Sequence, residues 1–361
     1  MKQKEKELFK KLCSFNSDRV DKELLKYATP AVLGQLFFNR MQGIAYYNLK
    51  THNLLGMLNR EFRNAIRSAY EQNVQKNKSY FKCVRMVSEI LSQSDVEAAM
   101  LKGAVLCACY PEGCRTANDI DLLVLPHDVT SVGKLLSSNG FKQGSVTGGE
   151  FIPASRADII QSKMLRGETV PFIKEVDLPF MKYLEVDINF SLDYKNGEND
   201  ILSAFLGNRR TVLQQGISLP TLGREDFFIH LCVHLYKEAT TLPWIEMRRD
   251  MTLYKYCDIY MLLDKMTDAE TERMFARAEE LRLDKICAYA ILETADLFDM
   301  NFQTAIRTSE WILSGHPAFR LQVTDPAEKR LLTYKTASAA DRFFVEDRAA
   351  ELKEDKTNEK T

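Results

Sequence analysis

The chain has 361 residues, 45% hydrophobic and 27% charged, which suits a folded protein of two or three domains and excludes wholesale disorder or a collagen-like repeat. Forty-nine Lys and Arg stand against fifty Asp and Glu, so a formal charge of −1 leaves nucleic acid unsupported as a partner. The opening Met1-Lys2-Gln3-Lys4-Glu5-Lys6-Glu7 is charged where a secretory signal is apolar, and no run of about 18 apolar residues occurs, so a cytoplasmic protein with no membrane partner is expected.

From Lys2 to about Gln75 apolar residues recur at helical spacing, as in Leu24, Leu25 and Ala28 and, after Thr29-Pro30, Val32, Leu33 and Leu36. Residues 1–75 therefore read as an N-terminal helical segment, with no chemistry of their own. Tyr80, Val84, Val87 and Leu91 line one stripe of a further helix, and Val96 to Leu101 reads as a short strand running into Lys102-Gly103. Asp119 to Leu125 predicts a strand, with Ile120, Leu122 and Val124 alternating against Asp119, Asp121 and Leu123 before Pro126 ends it. A helix near Val129 to Ser137, stopped at Gly140, leads to a strand at Phe141-Lys142-Gln143, and Gly144, Gly148 and Gly149 then predict a mobile loop. Phe172 to Val176 and Leu184 to Phe190 predict a strand pair, the second setting Leu184, Val186, Ile188 and Phe190 against Glu185, Asp187 and Asn189.

From Arg224 the period is helical again, with Phe228, Leu231, Cys232 and Leu235 on one stripe and His230, His234 and Lys237 opposite. The organisation expected is α+β: a core with a mixed sheet at residues 76–220, a C-terminal helical domain at 221–345, and a charged tail at 346–361 that extends a helix briefly and frays. The active site is expected in the cleft between the core and the C-terminal helices.

The chemistry concentrates in the core. Asp119 and Asp121, two apart on a strand, project the same way about 7 Å apart along the backbone. Their repulsion turns favourable when a hard divalent cation sits between them, and Mg²⁺ usually brings substrate phosphates to complete its octahedron. Asp187, on the other acidic-faced strand, can join them to hold two metals if the strands are neighbours. Glu185 shares its face and Asp177 precedes it. Upstream, the Leu101-Lys102-Gly103-Ala104 turn lets backbone approach a phosphate and offers the N–H groups of a helix start, with Lys102 and Arg115 adding positive charge.

A glycine and a small residue, then Asp-hydrophobic-Asp-hydrophobic, then a lone acidic residue on a later strand resembles the nucleotidyltransferase superfold of the polymerase-beta type. More closely, Leu101-Lys102-Gly103-Ala104 followed by Arg115-Thr116-Ala117-Asn118-Asp119-Ile120-Asp121-Leu122-Leu123-Val124 resembles a bacterial family of largely uncharacterised nucleotidyltransferases, the NTP_transf_5 group. Asp187-Ile188-Asn189-Phe190-Ser191-Leu192, His234-Leu235-Tyr236-Lys237 and Asp258-Ile259 resemble its later stations, so the likeness spans roughly Tyr80 to Asp264.

The resemblance implies that Asp119 and Asp121 ligate Mg²⁺ on an NTP, that Asp187 ligates a second metal and helps activate an acceptor hydroxyl, and that pyrophosphate leaves. It assigns the nucleotide to Lys102, Gly103, Ala104 and Arg115, with Lys237 and His234 reaching the phosphates from the helical domain. The acceptor is an unidentified hydroxyl compound.

Three departures stand out: Gly103-Ala104 lacks the Gly-Ser or Gly-Gly of the superfold, the gap to Asp119 is slightly long, and Asn189 replaces the expected His. Two rivals follow, a metal-dependent glycosyltransferase using a nucleotide sugar and a degenerate nucleotide-binding protein without turnover. A haloacid-dehalogenase-like phosphatase fits Asp119-Ile120-Asp121 less well. His230 and His234 have zinc spacing but no third ligand at a recognisable offset, and Cys107, Cys109 and Cys114 sit in an apolar helix pattern that suits core packing. The eight cysteines read as free buried thiols.

Overall fold

The computed structural model describes residues 1–15, 20–192, 200–298 and 300–354. By contact the chain divides into two compact units, residues 1–69 with 228–361, and residues 70–227. In chain order the N-terminal segment carries α1 (Gln3–Cys13), α2 (Pro30–Phe38), α3 (Gln42–Thr51) and the long α4 (Arg60–Leu91), whose residues from Tyr70 belong to the second unit. Local chemistry sets these boundaries. Thr29 caps α2 by accepting from the Val32 N–H, and Pro30 occupies the first turn, where its missing N–H costs nothing.

The second unit continues through β1 (Ala98–Met100), α5 (Gly103–Leu106), β2 (Asp119–Val124), α6 (Val129–Ser138), β3 (Lys142–Thr147), β4 (Glu150–Pro153), α7 (Arg156–Arg166), β5 (Phe172–Leu178), β6 (Met181–Asn189), α8 (Asp200–Gly207), β7 (Arg210–Gln214) and β8 (Ile217–Thr221). Six strands form a mixed sheet in the order β1-β2-β6-β5-β3-β4, in which only β2 and β6 pair in parallel. Alternation along β2 sends Ile120, Leu122 and Val124 to one face. There they join Val186 and Ile188 of β6 and Tyr80, Val84 and Val87 of α4 in one buried core. The fold class is thus the expected α+β, a mixed sheet flanked by helices.

The glycine-rich stretch is not the expected loop. Gly148 and Gly149, at φ 61° and 83°, make the two-residue turn of a hairpin that pairs β3 with β4 from Gly144↔Pro153 to Thr147↔Glu150. Positive φ at both central residues is the geometry whose twist matches flanking strands, and glycine adopts it without strain. The segment Thr147 to Thr169, which carries no readable motif, holds β4 and α7, and α7 starts from a capping box between Ser155 and Asp158. A further hairpin, β7 with β8, turns at Gln215 and Gly216.

The first unit resumes with α9 (Arg224–Ala239), from Phe228, and holds α10 (Leu242–Glu246), α11 (Leu253–Leu263), α12 (Asp268–Glu280), α13 (Asp284–Leu297), α14 (Gln303–Leu313), β9 (Gln322–Asp325), β10 (Arg330–Tyr334), α15 (Ala339–Phe343) and β11 (Leu352–Glu354). Its N-terminal and C-terminal parts pack together: Phe9 stacks on Phe343 with centroids 5.7 Å apart, and the Leu253 N–H donates to Asn39 Oδ1 at 3.1 Å. Beside the helices β9, β10 and β11 form an antiparallel sheet, so residues 352–354 add a strand where the sequence suggested a fraying helix. Residues 355–361 of that tail lie outside the described residues. Buried ion pairs pin this unit, with Arg348 forked onto Asp250 at 2.5 and 2.7 Å and Glu293 held by Arg320 and Arg342. Among the described residues no helix is long and apolar enough to cross a membrane.

Candidate active site

The acidic face of the sheet lies opposite the apolar core. Parallel pairing of β2 with β6 sets Asp121 directly beside Asp187 and Asp119 beside Glu185. In a pleated sheet register partners share a face, so four carboxyl groups stand together on two neighbouring strands. Asp187, and not Asp177, is therefore the third aspartate beside the pair. Asp177 lies at φ 42° where the β5–β6 register shifts.

This crowding of negative charge shows in the proton affinities. Burial, then the charges of Asp121, Glu185 and Asp119, push the Asp187 carboxyl up to about 8, with Lys102 opposing them. Glu185 is raised for the same reasons, burial first and then Asp119 and Asp121.

One cation already reaches the cluster. Lys102 Nζ donates to Asp121 Oδ1 at 2.7 Å, with the lysine side chain 24% exposed and the aspartate 8%. Burial works against the ammonium, but Asp121, then Asp119 and Asp187, outweigh it and raise its pKa. The backbone at Lys102 adopts φ 44° and ψ −116°, a region that favours glycine and strains a lysine by about 1–3 kcal/mol. Asn189, standing where the related pattern has His, directs Nδ2 toward Asp121 Oδ1 at 3.5 Å.

The turn after Lys102 differs from its expected role. α5 spans only four residues, and the N–H groups of Ala104 and Val105 already donate to the Leu101 and Lys102 carbonyls, so they are not free to bind a phosphate. Gly103 has a packing reason to be glycine, because a Cβ there would lie 2.4 Å from Ala117 Cβ and 2.9 Å from Tyr80 Oη. Arg115 is buried, and its guanidinium donates to the Thr116 carbonyl.

A ladder from α4 positions the segment that delivers Asp119. Asn73 donates to the Gly113 carbonyl at 3.0 Å, Asn77 to Arg115 at 2.9 Å and Tyr80 to Asp119 at 2.8 Å, while Lys76 bonds the Asn118 side chain. These positions follow the i, i+3, i+4 rule, so one helix face holds residues 113–119. The sequence reading placed Tyr80 only on an apolar stripe. Polar residues at helical spacing beside that stripe were the available signal.

Other candidates belong to the other unit or pack within the core. His234 and Lys237 belong to the other unit, on α9, where His234 Nε2 stands 3.5 Å from Glu238 Oε1. Cys107 and Cys114 are buried, and Cys109 donates to the Val105 carbonyl at 3.6 Å. All eight cysteines are free thiols.

Among the described residues no group of three or more His, Cys, Asp or Glu side chains is drawn together as a formed metal cage. The donor set nonetheless suits a hard divalent cation. Its carboxylate oxygens are hard donors, and burial together with the neighbouring carboxylates holds the Asp187 carboxyl up.

A family profile described as uncharacterised nucleotidyltransferase matches residues 29–299. No curated protein matches the chain. Among solved structures it is similar to an antigenic nucleotidyltransferase-like protein from Paracoccidioides brasiliensis, at 15% identity and a TM-score of 0.33 over 52% of this chain and 76% of that one. It is also similar to the antibiotic-resistance factor ANT(2'')-Ia, at 10% identity and a TM-score of 0.30 over 56% of this chain and 95% of that one. With well over half of its length inside the family profile, the chain belongs to that nucleotidyltransferase family.

Proposed function

We propose that the protein is a Mg²⁺-dependent nucleotidyltransferase that moves a nucleoside monophosphate from an NTP to a hydroxyl of a small-molecule, sugar, peptide or protein acceptor. The observation that carries this reading is the register of β2 and β6, which sets Asp121 beside Asp187 with Asp119 on the same face. Family membership supports the reaction class.

Bound Mg²⁺ would supply charge neutralisation of the triphosphate and of the leaving pyrophosphate. Asp119 and Asp121 would hold that ion through their carboxylate oxygens, and Asp187 would hold a second. The Asp187 carboxylate takes the acceptor hydroxyl proton as the new oxygen–phosphorus bond forms and the bond to pyrophosphate breaks. Lys102, bonded to Asp121, is the cation suited to the triphosphate, with Arg115 as a further candidate.

Calorimetric titration of ATP, CTP, GTP, UTP and UDP-glucose, with and without Mg²⁺, tests the reading. One NTP should bind only with Mg²⁺, and Asp119→Asn/Asp121→Asn should abolish that binding. Mg²⁺-dependent binding of UDP-glucose alone would instead support glycosyl transfer.

A second reading, nucleotide binding without turnover, is favoured by the Lys102–Asp121 ion pair and by the occupied N–H groups of Ala104 and Val105. It predicts the same calorimetry with no pyrophosphate release.

A further inference from the structure

We propose that Lys102 is the resident counter-ion of the carboxylate cluster, and that it exchanges Asp121 for the triphosphate when a divalent cation and nucleotide enter. The inference rests on the cation and nucleotide reading above and adds to it a competition within the chain itself.

Three observations converge on Lys102. Its Nζ sits 2.7 Å from Asp121 Oδ1, on a carboxylate whose register partner is Asp187. Its backbone is held at φ 44° and ψ −116°, so the fold keeps the lysine there against a conformational cost. Four carboxyl groups share one face of these two paired strands, so the ammonium meets a crowd of negative charge.

The physical consequence is competition for one oxygen. A carboxylate that already bonds an ammonium at 2.7 Å spends part of its charge on it, so a divalent cation entering beside Asp187 competes with Nζ for Asp121. Once displaced, the ammonium stands close to a doubly charged ion and is repelled by it. A triphosphate on that ion is the nearest compensating anion, and the flexible four-carbon stem of lysine lets Nζ follow it. Lysine thus serves the empty site as its cation and the loaded site as its phosphate ligand, and removing it should affect the two ligands oppositely.

The test is Mn²⁺ titration without nucleotide, followed by paramagnetic resonance, together with calorimetry of the four NTPs in Mg²⁺, on wild type, Lys102→Met, Lys102→Gly and Lys102→Arg. Lys102→Met should bind Mn²⁺ alone about tenfold tighter, because a unit charge is removed beside the site, and should bind NTP about tenfold more weakly. Lys102→Gly, which suits the backbone angle, should repeat both shifts if the Met variant folds poorly. Lys102→Arg keeps the charge and should hold Mn²⁺ affinity near wild type.

Unchanged or weaker Mn²⁺ binding in both uncharged variants, or shifts of the same sign for Mn²⁺ and NTP, would overturn the exchange while leaving the cation site standing. Absence of Mn²⁺ binding in every form would overturn both.

Discussion

Asp121 and Asp187 face one another at the same level of the paired parallel strands β2 and β6, and that adjacency gives the cluster a measurable pH signature. The Asp187 carboxyl lies near 8 in the fold against an ordinary 3.8, with burial the first cause and Asp121 the second. The folded state therefore holds a proton that the unfolded chain releases, and stability falls as pH rises from about 4 to about 8. Asp187→Asn, which cannot ionise, should match wild type near pH 4 and become progressively more heat-stable than wild type up to about pH 8. Thermal unfolding in metal-free buffer checks this, and parallel pH curves for the two proteins would refute it.

Gly103 is fixed by packing against Ala117 and Tyr80. A methyl group placed 2.4 Å from Ala117 Cβ must displace the strand entry or the turn, so Gly103→Ala should lose about 1–3 kcal/mol of stability. Adding Ala117→Gly should restore part of that loss, since it removes the closer contact. Denaturant unfolding of the single and double variants measures both, and an unaffected single variant would remove the packing explanation.

Breaking the buried fork between Arg348 and Asp250 should strongly destabilise the other unit. Both side chains are buried, so Arg348→Met strands an uncompensated carboxylate and should cost about 3–5 kcal/mol. Asp250→Leu/Arg348→Met, which removes both charges, should recover most of it. If the double variant is no more stable than the single one, the loss comes from packing and not from the orphaned charge.

Much of the core was legible because its strands are buried on one face only. The alternation of Ile120, Leu122 and Val124 against two aspartates announced β2, and Leu184, Val186 and Ile188 announced β6, so the acidic face could be read directly. Register could not be read, and register alone sets Asp187 beside Asp121. β3 was legible only at its start, in Phe141-Lys142-Gln143, and β4 not at all, because most of their residues are exposed and carry no apolar alternation, leaving Gly148-Gly149 as the sole cue to the hairpin. β9, β10 and β11 are three to five residues long, too short for a period to emerge. The Lys102 ion pair depends on a backbone conformation foreign to lysine, which no propensity argument would assign.

The central claim is that the α-phosphoryl group of an NTP is transferred at the Asp119, Asp121 and Asp187 face. Incubating the protein with Mg²⁺ and a bacterial extract as acceptor source, in parallel with α-labelled and γ-labelled NTPs, tests it most directly. The account predicts that label enters an acceptor from the α position only, with pyrophosphate released, and that Asp121→Asn abolishes incorporation. Incorporation from the γ position, or α incorporation that Asp121→Asn leaves intact, would contradict it.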